Sequence, residues 1–304
     1  MRSVTRTLEK TAEDFIASRR SEGTRKSYRA DLARWVKFCN EHDVDLCDPT
    51  QEQANKFRAD LKARYAPASL NRRLASLSSI YKTACAGREP VAKWNPFDAR
   101  SLTRFPADEY VETKVVGEGI FEAMLAQCAK DDSIEGVRDA AVLHLLHATG
   151  LRRSSVASML RRNIFYHEGK VLAKVLVKGS KEEKVELSPE AVHALETYLQ
   201  RAPESPYIFP GYSGKPISPD GITAIVARCS KALGDDSHTT PHQFRVSFVT
   251  ELRKSGAPLD AIQAAVHHSD PKTTQRYFRG DLGAGMTTRL EEYRKQQRSE
   301  KESK

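Results

Sequence analysis

The sequence predicts a mainly helical protein with one small β-sheet, arranged as two domains. Three observations carry that expectation. Residues 1–87 keep helical spacing of apolar positions almost throughout. Residues 163–187 are the one stretch that switches to short alternating strands bounded by glycines. Between the helical N-terminal part and the rest, residues 88–116 lose periodicity and carry Pro90, Pro96 and Pro106 along an extended path. The expected organisation is an all-helical domain over 1–107, its linker beginning near 88, and an α+β domain over 108–304.

The elements follow in order. After Glu22-Gly23-Thr24, the positions Tyr28, Leu32, Trp35, Val36 and Cys39 form one helical stripe. Asp48-Pro49-Thr50 opens a second helix, QEQANKFRADLKARY, which Pro67 stops. A third, ASLNRRLASLSSIYKTACAG, puts Leu70, Leu74, Leu77, Ile80 and Tyr81 on one face and ends at Gly87. In the second domain, helices are expected around 119–129 and 135–148. Thr149-Gly150 breaks the latter, and a further helix runs through Leu160. The strands NIFYH, KVLAKVLVK and KVEL turn at Gly169 and at Gly179-Ser180. Ser-Pro at 188–189 and at 218–219 announces two more helices, with serine as the cap and proline in the first turn. PHQFRVSFVTELRKSG begins another at Pro241 and stops at Gly256.

Composition narrows the function. The net charge is +9, and residues 1–107 supply +8 of it. From Leu61 to Arg88 there are six basic residues and no acid: Lys62, Arg64, Arg72, Arg73, Lys82 and Arg88. Such a run is often a solvated helix face, but it also suits a helix pair lying along phosphates. An asymmetric basic balance favours a polyanionic partner, because neutralised phosphates supply most non-specific nucleic-acid affinity. No run approaches the length of a membrane span, and MRSVTRTLEK lacks the apolar core of a signal peptide, so no membrane partner and a cytoplasmic location are expected. The five cysteines, at 39, 47, 85, 128 and 229, are scattered without a CxxC and are taken as reduced packing thiols.

Four short stretches hold the chemistry: ATGLRR (148–153), VKGSK (177–181), HQFR (242–245) and HHSDPKTTQRY (267–277). His242 and Arg245 lie three apart on one helix and leave the same face. Arg152 follows a Gly-Leu turn between helices, and Lys178 ends a strand at a hairpin tip. Asp270-Pro271 caps a short helix that carries Tyr277 two turns in. A phosphodiester under attack develops charge on its non-bridging oxygens, and two guanidiniums clamp such oxygens bidentately. Each group also has an ordinary structural alternative, as an ion-paired arginine, a hairpin lysine or a packed histidine. His144 and His147, with His193, lack any carboxylate or cysteine at ligand spacing, which disfavours a metal site. The motif regions hold no acidic cluster for two-metal phosphoryl transfer and no GxxxxGK[ST] loop, so neither metal nor ATP is implied.

The order TGLR, hairpin lysine, HxxR, HxxxxTTxxY resembles the tyrosine recombinase (phage integrase) family, in its simple two-domain Cre/Xer form. The helical N-terminal part is similar to the core-binding domain of that family, through TRKSYRADLARW, SLNRRLASLSSIYK and Asn95–Phe97. The resemblance covers nearly the whole chain. It implies that Arg152 and Arg245 clamp the scissile phosphate and that Lys178 protonates the leaving 5′-oxygen. It further implies that His242 assists proton transfer, His268 hydrogen-bonds the phosphate and Tyr277 is the nucleophile. A 3′-phosphotyrosyl intermediate, a Holliday junction and a homo-tetramer on double-stranded DNA with a short inverted-repeat core site are implied with them, with no cofactor and with any accessory proteins unspecified. A type IB topoisomerase-like nicking-closing enzyme and a DNA-binding protein without catalysis are the alternatives. Two departures from the pattern stand out: Ser155 where an acid usually follows the first arginine, and His267 where glycine usually precedes the motif histidine. Beyond Gly283, Met286, Leu290 and Tyr293 form a narrow apolar stripe too short to hold as an isolated helix. Residues 283–304 are therefore expected to dock on their own or a neighbouring subunit, and the resemblance implies a tail exchanged between subunits.

Overall fold

The computed structural model describes residues 2–86, 90–98, 105, 114–177, 181–211, 214–234 and 239–266. The chain divides into two compact units, Met1–Val111 and Glu112–Lys304.

In the first unit the described elements are four helices: α1 (Arg2–Ala17), α2 (Glu22–Glu41), α3 (Gln51–Arg64) and α4 (Pro67–Ala84). Local chemistry sets their ends. Ser21 accepts from the Thr24 N–H at 3.4 Å and starts α2. Thr50 and Gln53 cap one another reciprocally, by bonds of 3.2 and 2.8 Å, to start α3. The core is aromatic. Trp35, fully buried, has the rings of Phe57 and Phe97 at 4.9 and 5.1 Å. Its indole N–H donates to the Tyr81 hydroxyl at 2.7 Å, and that hydroxyl donates to the Leu46 carbonyl at 2.6 Å. The indole and phenol thus bury their rings while satisfying their polar ends.

The stretch after Gly87 differs from the expected extended linker where it is described. Ala92 and Phe97 are buried in the core of the first unit. Asn95 donates to the Ser78 hydroxyl at 3.0 Å, and the Asn71 side chain holds the backbone of Phe105 through bonds of 2.9 and 3.1 Å. Aperiodic apolar residues can pack as well as periodic ones, and loss of period signals only the loss of regular structure.

The second unit holds α5 (Glu118–Cys128), α6 (Ile134–Thr149), α7 (Arg153–Ala157), α8 (Pro189–Leu199), α9 (Pro219–Lys231), α10 (Pro241–Lys254) and α11 (Leu259–Ala265). Between α7 and α8 comes the antiparallel meander of β1 (Ile164–His167), β2 (Lys170–Val177) and β3 (Lys181–Glu186). Ser188 and Ser218 cap α8 and α9 as their Ser-Pro pairs predict, accepting at 3.3 and 3.0 Å. Helix α6 is central: Leu143, Leu145 and Leu146 are fully buried. The sheet contributes Ala173, Val175, Val177 and Val185 to the same core, and α10 contributes Phe244.

One expected helix is cut short. Instead of running through Leu160, α7 stops after Ala157, and a 3-10 turn covers Arg161–Asn163. The Ser158 hydroxyl turns back on the Ser154 carbonyl at 3.0 Å, and Leu160 pairs with Tyr207 as an isolated bridge. No helix among the described residues is long and apolar enough to cross a membrane.

Candidate active site

Two of the four motif stretches, ATGLRR and HQFR, meet at the C-terminal end of α6. Gly150 caps that helix with φ +57°, and a Cβ there would lie 2.7 Å from the Phe248 ring, so both the backbone angle and the space call for glycine. The Thr149 hydroxyl donates to the Leu145 carbonyl at 2.5 Å and accepts the Leu151 N–H at 3.3 Å. With Leu151 buried, the turn delivers Arg152, partly exposed, as the N-cap of α7.

Arg245 comes from α10, where Phe244 on the adjoining position is fully buried. Its own side chain is buried too. The guanidinium donates to the Gly150 carbonyl at 2.8 Å and to the Val266 carbonyl. A planar group with five N–H donors in a rigid fork bridges two loops with a fixed geometry that the flexible ammonium of a lysine lacks. One buried cation therefore ties the Arg152 turn to the residue that leads into His267-His268.

His242 lies one turn before Arg245. The ring reaches solvent, yet its pKa is lowered, first by desolvation and then by the positive charges of Arg245 and Arg152. Both arginines act on the same imidazole, which places Arg152, His242 and Arg245 in one positive field. Lys178, His268 and Tyr277 lie outside the described residues, as does the tail 283–304. Val177 and Val266, the described residues nearest in sequence to Lys178 and His268, are buried.

The histidines of α6 have packing partners. His147 stacks on Phe121 with centroids 3.9 Å apart, and His144 meets the same ring edge-on at 5.6 Å. Among the described residues no group of three or more His, Cys, Asp or Glu could hold a metal ion.

The basic run of the first unit is arranged differently from its linear order. Lys62, Arg64, Arg72 and Lys82 are exposed, while Arg73 is only partly so. Arg72 and Arg73 both bond the buried carboxylate of Asp31, at 2.8 and 2.7 Å, and Arg73 also covers the Tyr65 ring at 4.0 Å. Arg64 pairs with Asp60 at 2.8 Å, and Lys62 stands 5.9 Å over Phe105. The run is free of acids in sequence but not in space. Asp31, on α2, was overlooked in the sequence; the available signal was a carboxylate flanked by Tyr28, Leu32 and Trp35 on an apolar stripe.

Known proteins similar to this chain show its family. Residues 118–282 match the phage integrase family and residues 13–87 its N-terminal SAM-like domain. The chain is 31% identical over 265 residues to tyrosine recombinase XerD of Pseudomonas putida, covering 84% of this chain and 86% of that one. It is 30% identical over 275 residues to tyrosine recombinase XerC of Myxococcus xanthus, covering 84% and 87%. Among solved structures, a lambda integrase dimer bound to a COC′ core site superposes with a TM-score of 0.70 at 16% identity, over 92% of this chain and 78% of that one. XerH recombinase bound to difH substrate gives 0.66 at 14%, over 84% and 76%. At those identities the structures speak for the fold, whereas the sequence matches carry the family. The chain belongs to the phage integrase family and is a site-specific tyrosine recombinase.

Proposed function

We propose that this recombinase cuts each DNA strand with the hydroxyl of Tyr277, in a site built from Arg152, Lys178, His242, Arg245 and His268. The observation that carries the reading is Arg245, buried and bonded to both the Gly150 and Val266 carbonyls, beside an imidazole whose pKa it and Arg152 depress. The tyrosyl oxygen attacks phosphorus, the bond to the 5′-oxygen breaks, and Lys178 gives that oxygen its proton. The arginines hold the non-bridging oxygens, where charge grows in the transition state. A neutral His242 takes and returns the tyrosyl proton, and His268 donates to the phosphate. The 3′-phosphotyrosyl bond keeps the energy of the broken one. A 5′-hydroxyl from the partner strand therefore reseals it without ATP or metal, through a Holliday junction.

The substrate is double-stranded DNA with a short inverted-repeat core, bound by a homo-tetramer in the cytoplasm, on the nucleoid if the cell is bacterial. Residues 1–107 supply much of the grip, through Lys62, Arg64, Lys82 and the outer faces of Arg72 and Arg73. Residues 108–304 supply the chemistry, and the tail 283–304 links subunits. Truncation after Gly285 leaves binding to a half-site intact and removes cooperative filling of a full site.

The test is covalent capture. Nicked duplexes carrying randomised inverted repeats are incubated with the protein, and DNA surviving denaturing wash is sequenced. The wild type retains a discrete family of sites linked through Tyr277 by a 3′-phosphate, with or without chelator. Tyr277→Phe binds the same DNA and retains none. Capture that persists in Tyr277→Phe contradicts the proposal. Capture without any strand exchange between two sites supports the nicking-closing alternative.

A further inference from the structure

We infer that Ser155 is a positioning residue for Lys178, tying the strand that leads to the lysine to the turn that carries Arg152. The inference rests on the roles proposed above for both.

The pairing of the sheet shows why such a tie is needed. β1 pairs with β2 only as far as Ile164 opposite Ala173, whereas β3 stays with β2 from Leu172 to Val177. Carbonyls along a strand alternate sides. The Leu187 N–H donates to the Val171 carbonyl, so the carbonyls of 171, 173, 175 and 177 face β3. Those of Lys174 and Leu176 face the opposite edge, beyond the point where β1 has begun. Two side chains occupy that edge instead of a strand. Asn163 donates to the Lys174 carbonyl at 3.3 Å, and the Ser155 hydroxyl donates to the Leu176 carbonyl at 2.6 Å. Among the described residues Ser155 provides the last tie on that edge, two residues before Lys178 in sequence.

The same residue is fastened to the arginine. Its backbone N–H donates to the Arg152 carbonyl at 2.8 Å, and its side chain is buried. Through one residue, the end of β2 and the Arg152 turn are held at a fixed separation. Only a donor can do this. An ionised aspartate or glutamate accepts hydrogen bonds and offers none, so it would face the Leu176 carbonyl with like partial charge. Serine here therefore makes a connection that the acid common at this position in the family could not make in the same way.

A misplacement of about 1 Å can cost roughly 100-fold in rate. A leaving group that needs no proton makes the position of a general acid irrelevant. The experiment measures single-turnover cleavage of a duplex isolated by the capture described above, made once with normal oxygen and once with sulfur at the 5′-bridging position. Ser155→Ala is expected to cleave the oxygen substrate about 10- to 100-fold more slowly than wild type, and the sulfur substrate at nearly the wild-type rate. Ser155→Thr, which keeps the donor, should recover most of the oxygen rate; Ser155→Val, its isostere without one, should not. This pair supplies the same comparison if Ser155→Ala is too unstable to assay. Equal slowing on both substrates, or none on either, overturns the inference while leaving the assignment of Tyr277 untouched. Lys178→Ala run in parallel separates the two levels. If sulfur fails to rescue it, the acid assignment falls and takes the positioning role of Ser155 with it.

Discussion

The two units each present a pair of arginines, and the described contacts of the pairs differ in kind. In the first unit Arg72 and Arg73 converge on Asp31, whose side chain is 1% exposed. In the second, Arg245 is fixed by the carbonyls of Gly150 and Val266, and its charge, with that of Arg152, is felt by His242. A carboxylate both positions a guanidinium and cancels its charge. A backbone carbonyl positions it and adds no formal charge of its own. The first arrangement suits a helix bundle that must hold its shape near phosphates. The second suits a site that must meet a phosphate gaining negative charge.

The largest effects should come from breaking the second pair. Arg245→Ala removes donors from two carbonyls as well as a proposed phosphate ligand. Cleavage should fall by about 10²–10³, and the unit should lose about 2–4 kcal/mol of stability by chemical denaturation, since each orphaned buried partner costs about 1–3 kcal/mol. Arg245→Lys should retain charge without the bridge and recover little of either. Full activity in Arg245→Lys would show that the bridging geometry is dispensable.

Next in size is Asp31→Ala. Removing the shared carboxylate should cost the first unit about 1–3 kcal/mol, with the figure discounted because Arg72 is half exposed. An unchanged melting curve for residues 1–111 within the intact protein would mean that the triad does not hold the bundle.

A smaller effect concerns DNA affinity. Lys62→Ala and Lys82→Ala should each flatten the dependence of affinity on salt by roughly one unit of slope, as each lost phosphate contact does. Arg73→Ala, with its side chain 15% exposed and turned to Asp31 and Tyr65, should change stability more than slope. The reverse outcome would give Arg73 the larger share of the grip on DNA and the lysines the smaller.

The smallest is the response to acid. The pKa values of His144, His147 and His242 are all lowered in the fold, chiefly by burial. Below about pH 6.5 the unfolded chain binds protons that the folded one resists, so stability falls as pH drops through that range. His144→Asn/His147→Asn should flatten the fall between about pH 7.5 and 5.5. A wild type that gains stability on acidification over this range would contradict the sign.

Much of this was legible in the sequence where local chemistry and structure coincide. Ser188-Pro189, Ser218-Pro219 and Thr50 start helices because their side chains cap their own first turn, which needs no distant partner. The strands were visible through alternation, and Arg152 through the glycine turn before it. What escaped was set by contacts distant in the chain. Asp31 meets Arg72 across 41 residues, and Ser155 meets the Leu176 carbonyl across a sheet edge that exists only because β1 begins at Ile164. Ser155 registered as a missing acid, and nothing in its immediate surroundings revealed the donor's task. Phe97 showed no period, yet it closes the aromatic core.

The contrast between the arginine pairs is tested most directly by single-turnover cleavage at saturating DNA, with Arg152→Ala and Arg72→Ala side by side. Saturation removes differences in grip and leaves the chemical step. Arg152→Ala should be slower than wild type by about 10²–10³, and Arg72→Ala should cleave at the wild-type rate. An Arg72→Ala rate as depressed as that of Arg152→Ala, or an Arg152→Ala rate that matches wild type, would contradict the division of labour between the two units.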